Sequence, residues 1–153
     1  MRRSASSRLR IRRVPKGETS AIKSSITPTT LDIAWAAGIF EGEGCVQLRK
    51  IPFSKDGKQR KYVSLCTQVT QKDWWLPFRM RDLFGGVVNY HFRPKGSCNL
   101  KKFDSHIYNW QASGPRAAGF LMTIYTFLSD RRKEQVELAL QGWNVRQNED
   151  NPR

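Results

Sequence analysis

Two glutamates one residue apart, Glu41 and Glu43, alternate with Gly42 and Gly44 at the end of the run Trp35-Ala36-Ala37-Gly38-Ile39-Phe40. Carboxylates gathered at one chain reversal can transfer protons or hold a hard cation, so this is where chemistry is expected. Ala36, Ala37 and Gly38 make a helix face with almost no side chain. An interior helix needs such a face only where another backbone comes very close.

The elements that must position this junction can be read on either side of it. Thr29 and Thr30 offer a hydroxyl cap to a helix over 31–40, which ends as the two acids begin. Residues 45–51 alternate like a half-buried strand, with Val46 and Leu48 on one face and Gln47 and Arg49 on the other. A hairpin loop over 52–61 carries Lys55, Lys58, Arg60 and Lys61 around the turn dipeptide Asp56-Gly57. The return strand over 62–70 puts Val63, Leu65 and Val69 inside, with Thr67 an exception. Its other face is Tyr62, Ser64, Cys66, Gln68 and Thr70. A sheet surface of Gln, Arg, Ser, Thr and Tyr can hydrogen-bond base edges in a major groove, which admits a β-ribbon; an ordinary solvated face is the plainer alternative.

A helix over 73–84 follows, with Trp74, Phe78 and Leu83 as its expected core and Asp73 as a cap, closed by Gly85-Gly86. A second hairpin spans 87–93 and 106–112, with Asn89, His91 and Arg93 outward and Lys95, Lys101 and Lys102 in the connecting loop. His91 and His106 read as ordinary surface or groove residues. Ser113-Gly114-Pro115 opens another helix, apolar over 117–128, and a last helix covers 130–143. The domain so defined runs 29–145, between a basic arm over 1–28 and a frayed end over 146–153.

Residues 35–46 resemble the signature of the LAGLIDADG homing endonucleases. Ala37 and Gly38 match, Ile39 and Phe40 fill the hydrophobic pair, and Glu43 and Gly44 match the closing acid and glycine. Ala36 stands for a Leu and Glu41 for the usual Asp. Further matches are Gln68-Val69-Thr70-Gln71-Lys72, similar to a segment of single-motif members, and Arg131-Arg132-Lys133-Glu134-Gln135, placed where the family carries a basic residue near its active site. The resemblance implies an α+β fold of order αββαββαα, with an antiparallel saddle-shaped sheet facing DNA and helices on the other face. The order read from periodicity and turn signals agrees with it.

What the resemblance implies for function is a site-specific double-strand DNA endonuclease. One motif is present, so the site is expected to be shared by a homodimer that crosses at the 31–40 helix and reads a pseudo-palindromic sequence. Ala36, Ala37, Gly38 and Glu41 would lie at that crossing. Two Glu43 carboxylates brought together would repel unless divalent cations intervene. Mg²⁺ is the expected ion, with Mn²⁺ as a substitute, held by Glu43 with help from the Gly42 or Gly44 carbonyl. Gln71 resembles the residue that orients attacking water, and Arg132 or Arg131 the one that stabilises charge on the phosphate. Where related enzymes carry a further Arg after the second strand, this chain has Trp74 and Trp75, and Arg79 is the nearest substitute. A catalytically silent DNA-binding relative, or an RNA intron maturase, would keep the same basic sheet; both readings stay open, as does a basic structural protein.

Composition points the same way. The 153 residues carry a formal charge of +14 and a pI near 10.3, which favours a polyanionic partner through counterion release. Residues 1–28 hold eight basic side chains against Glu18, half of the net charge; a phosphate-binding extension and a leader or mis-set start codon fit this stretch equally, and an organelle transit peptide stays open. Cys45, Cys66 and Cys98 are odd in number and far apart, which suggests neither a disulfide framework nor a zinc site. The expected setting is a reducing one, cytoplasm, nucleoid or organelle matrix, and no run approaches the roughly 20 apolar residues of a membrane span.

Overall fold

The computed structural model describes residues 26–55, 58–93 and 105–150. The chain runs α1 (Thr30–Glu43), β1 (Gly44–Lys55), β2 (Lys58–Gln71), α2 (Trp75–Phe84), β3 (Val87–Arg93), β4 (Ser105–Ser113), α3 (Pro115–Ile124), a 3-10 turn (Tyr125–Phe127) and α4 (Asp130–Asp150). This is the order expected from the sequence. The arm up to residue 25, the Asp56-Gly57 turn, and the loop with Lys95, Lys101 and Lys102 lie outside the described residues.

One antiparallel sheet of order β1-β2-β4-β3 forms the frame. Its two hairpins join where Cys66–Gln71 of β2 pairs with Tyr108–Ser113 of β4. The rest of β2 pairs with β1 alone, out to Lys55 opposite Lys58, so that end of the hairpin is a two-stranded ribbon. The predicted loop over 52–61 is therefore mostly strand. Its basic side chains do not break pairing, because alternating residues of a ribbon can point into solvent.

The inner face of the sheet carries Leu65, Val69, Trp110 and Ala112, which pack with Phe40, Met80, Phe120, Leu121, Ile124 and Val136 from the helices. Phe120 is the centre of this core, its ring edge-on to Trp110 (4.9 Å), Phe84 (5.0 Å) and Phe40 (5.7 Å). Such edge-to-face pairs match ring quadrupoles as well as burying area. Thr67 points inward too, with its hydroxyl buried and unbonded.

α1 begins at a capping box. Thr29 Oγ1 accepts from Asp32 N–H (3.2 Å), and Asp32 Oδ2 accepts from Thr29 N–H (3.0 Å). These bonds from Thr29, aided by Arg79 at 2.8 Å, hold the Asp32 carboxyl below its usual range. The ion pair ties α2 to the first turn of α1. Arg79 is thereby tied to the end of α1 opposite Glu43, Asp32 lying about 16 Å from Glu43 along the helix at 1.5 Å per residue.

α2 starts later than expected, and Trp74 is not core. It precedes the helix, is 57% exposed, and lies edge-on to Phe78; Pro77, Met80 and Leu83 are the buried residues. Asp73 does contribute, accepting from Trp75 N–H at 3.1 Å. α4 is longer than expected and takes in 144–150. Nothing between Gly142 and Pro152 interrupts a helix, whereas the residue before a proline disfavours one. Among the described residues no helix is long and apolar enough to cross a membrane.

Candidate catalytic corner and nucleic-acid interface

α1 ends at Glu43 rather than at Phe40, so both glutamates belong to its last turn. A helix end leaves carbonyls unsatisfied, and here the neighbouring helix supplies donors. Arg132 of α4 donates from Nη2 (2.8 Å) and Nε (3.2 Å) to the Glu41 carbonyl, and from Nη1 (3.1 Å) to Gln135 Oε1. The exchange is reciprocal. Glu41 accepts from Ser129 Oγ (2.6 Å) and Ser129 N–H (3.2 Å) at the start of α4, a position where the helix dipole favours an anion. These bonds, led by the Ser129 hydroxyl and helped by Arg132 and Arg131, lower the Glu41 pKa.

Glu43 differs in every respect. It is exposed, and among the described residues nothing bonds its carboxylate. Beside it a cleft of about 440 Å³ is lined by Gly44, Cys45, Val46, Arg132, Gln135 and Leu138. Gly44 pairs with Val69 in the sheet, so Gln71, two residues further along β2, falls at the same end of the fold. Arg131 is exposed and makes no hydrogen bond among the described residues. Arg132 has spent three of its five N–H groups. The structure thus sets Arg131 and Arg132 beside the end of α1 that carries Glu43, leaves Gln71 at the same end of the sheet but in a separate hollow with Thr70, Lys72 and Ile107, and gives Glu41 a partner within its own chain. Ser129 was not found from sequence, since nothing local distinguishes a serine that meets a glutamate 88 residues away.

The helix face free of side chains is not the one expected. Ala36 and Ala37 are buried in the chain's own core at 0% and 1% exposure. Only Gly38 of the three looks outward, in register with Ala34 and with exposed Gly42 at intervals of four. A Cβ added at Gly38 or Gly42 meets nothing within 4 Å.

The open face of the sheet is polar, as the alternation predicts, and is self-bonded across strands. Arg49 donates to Gln68 Oε1 (2.7 Å) and Gln111 Oε1 (3.2 Å), and Thr70 Oγ1 to Asn109 Oδ1 (3.2 Å). Asn89 and His91 of β3 are exposed on the same face. Lys61 and Tyr62 are exposed near the ribbon, while the side chains of Lys55, Lys58, Arg60 and Arg93 lie outside the described residues. Ser64 corrects the reading: it lies on this face but is only 6% exposed, opposite the long Arg49 side chain. Cys66 is covered likewise, and burial pushes its thiol pKa up. Asn109 and Gln111 were missed, although the alternation Asn109, Gln111, Ser113 in β4 signals them.

No family model matches this chain, and no curated protein matches it. Among solved structures, it is similar to the crystal structure of the LAGLIDADG homing endonuclease I-GzeII in complex with DNA target, with a TM-score of 0.53 at 13% identity. The match covers 79% of this chain and 38% of that one. At this identity the likeness is one of fold: α+β, with a four-stranded antiparallel sheet and packed helices, as in that endonuclease.

Proposed function

We propose that this chain is a divalent-metal-dependent DNA endonuclease whose active site is completed by a second copy, with α1 of each copy crossing at Gly38 and Gly42. The observation that carries the reading is Glu43, an exposed, unbonded carboxylate at the end of a helix that turns Gly38 and Gly42 outward. Likeness of fold to an endonuclease solved with DNA supports the class of partner. The basic charge and the polar open face of the sheet support the surface that meets it, and the pairing of two copies makes a pseudo-palindromic site the expected target.

The donor set suits a shared ion rather than a site within one chain. No group of three or more His, Cys, Asp or Glu side chains that could hold a metal exists among the described residues. Each copy offers Glu43, with the Gly42 or Gly44 carbonyl near it. Mg²⁺ accepts such a set, because it binds by one or two carboxylates plus phosphate oxygens and keeps its waters; Mn²⁺ is the expected substitute. When bound, the ion supplies a nucleophilic water and neutralises charge on the phosphate. The protein's own share is positional. Arg132 and Glu41 lock the ends of α1 and α4 together and fix Glu43, Gln71 orients water, and Arg131 has its guanidinium free to meet a phosphate.

Incubation with a randomised duplex library and Mg²⁺, followed by sequencing of cut ends, tests the activity. Glu43→Gln is expected to lower cleavage by roughly 10³-fold or more and leave DNA affinity within about twofold, since one neutralised acid adds no phosphate contact. Undiminished cleavage by the variant would remove Glu43 from the mechanism. Tight binding with no cleavage by the wild-type chain would leave a silent DNA-binding protein of this fold.

A further inference from the structure

On the open sheet face the guanidinium of Arg49 lies among three glutamines. Arg49 donates through Nη2 to Gln68 Oε1 at 2.7 Å and through Nη1 to Gln111 Oε1 at 3.2 Å. Gln47, on the same strand and face, brings one end of its amide to 2.9 Å from Nε and 2.7 Å from Nη2 of the same group, and because a guanidinium only donates that end is assigned as the oxygen. Gln68 and Gln111 are direct partners across β2 and β4, and Gln47 sits on β1 opposite Cys66. One side chain therefore spans three strands.

A guanidinium only donates. Every glutamine bonded to Arg49 must point its oxygen inward and its NH₂ group away from it. Gln111 gives one N–H to Ser113 Oγ at 3.3 Å, which leaves it one for a ligand. A free glutamine can rotate its amide to suit a donor or an acceptor; these three cannot without breaking a charge-assisted bond. Arg49 itself, with four bonds made, has too few N–H groups left for the two-pronged contact by which arginine reads guanine.

We propose that Arg49 is a positioning residue for base selection, which fixes three amides as donors and makes this face prefer base edges that accept. The proposal rests on the reading of this face as the DNA interface. In the major groove guanine offers N7 and O6, adenine N7 and thymine O4 as acceptors, whereas cytosine presents an N4 donor. An amide NH₂ held against cytosine N4 leaves two donors facing each other, both unsatisfied. The expected preference is guanine first, with cytosine excluded from the strand that is read.

The test is selection from a randomised duplex library at low salt without divalent metal, so that cleavage plays no part, using wild type, Arg49→Met and Gln68→Glu. The wild-type chain should select guanine-rich edges over a few adjacent base pairs. Arg49→Met frees all three amides, and discrimination at those positions should fall together, by about 10-fold at each, while flanking positions hold. In Gln68→Glu the carboxylate keeps one oxygen on Arg49 and turns an acceptor outward, so the preferred base at its position should move to cytosine. Loss at a single base pair in Arg49→Met would mean that Arg49 reads a base itself, and unchanged profiles in both variants would mean that the amides are not held; either overturns the inference and spares the interface. A wild-type chain that selects no sequence would overturn the interface as well.

Discussion

Glu41 and Glu43 are one residue apart, with Gly42 between them, and the structure gives them different surroundings. Glu41 is tied to Ser129 and its carbonyl to Arg132; Glu43 is left in solvent. The sequence reads Glu41 as structural, capping or bonding across a pair of α1 helices, whereas its partner is Ser129 at the start of α4 in its own chain. Burial was the less legible property. Ser64 and Trp74 have the polarity and size expected of their roles, yet Ser64 is buried opposite Arg49 and Trp74 stands exposed ahead of the helix. The Glu41 contact also has a pH signature. Its folded pKa lies below the ordinary 4.5, so it stabilises the fold fully above that value and loses the contribution as pH falls through the folded pKa. Glu41→Gln keeps an acceptor but removes the charge; in urea titrations at pH 7 it should cost about 0.5–1 kcal/mol, a modest figure for an exposed, solvent-screened pair. Once pH lies well below the folded pKa the two proteins should converge. A gap that persists in acid would mean that the charge of Glu41 contributes nothing.

At the scale of elements, the α1–β1 junction is closely packed at Gly44, and its four-residue end was only partly legible. The alternating glycines read as a helix exit after Phe40, whereas the helix continues to Glu43 because Arg132 satisfies its end from outside. That donor is 91 residues away and invisible to any local pattern. Strand identities, by contrast, followed from period-two alternation; the first hairpin was read short by a few residues, and the second to within one residue at each end. The glycines of the junction are not equivalent. A Cβ on Gly44 would lie 2.2 Å from Phe40 Cδ2 and 2.5 Å from the Phe40 carbonyl oxygen, whereas one on Gly42 meets nothing. Phe40 is fully buried and cannot yield. Gly44→Ala should therefore lose about 1–3 kcal/mol, the usual cost of overpacking, with a lower midpoint in thermal or urea unfolding. Gly42→Ala, in a helical position with open space, should hold or raise stability by up to about 1 kcal/mol. Equal effects of the two substitutions would contradict this account of the junction.

At the scale of the whole molecule, stability and function pull against each other along the outer face of α1. Ala34, Gly38 and Gly42 recur every fourth residue there, and glycine inside a helix costs about 0.8–1 kcal/mol relative to alanine. Within one chain nothing requires that cost at Gly38, because an added Cβ would meet open space. A second copy would supply the reason: two helix backbones approach closely only where Cβ atoms are absent or small. A larger side chain should then separate two properties that a monomeric enzyme would keep together. Gly38→Leu should fold at least as stably as the wild type in a dilute single-chain measurement, because leucine is a good helix former. In sedimentation it should run as the 17.7 kDa chain at concentrations where the wild type runs as a dimer. Double-strand cleavage should be lost with the dimer, while a half-site duplex is still bound with an affinity that falls steeply with salt. A Gly38→Leu protein that dimerises and cuts as well as wild type, or a wild-type chain that stays monomeric while cutting both strands, would mean that Glu43 is not one half of a shared site.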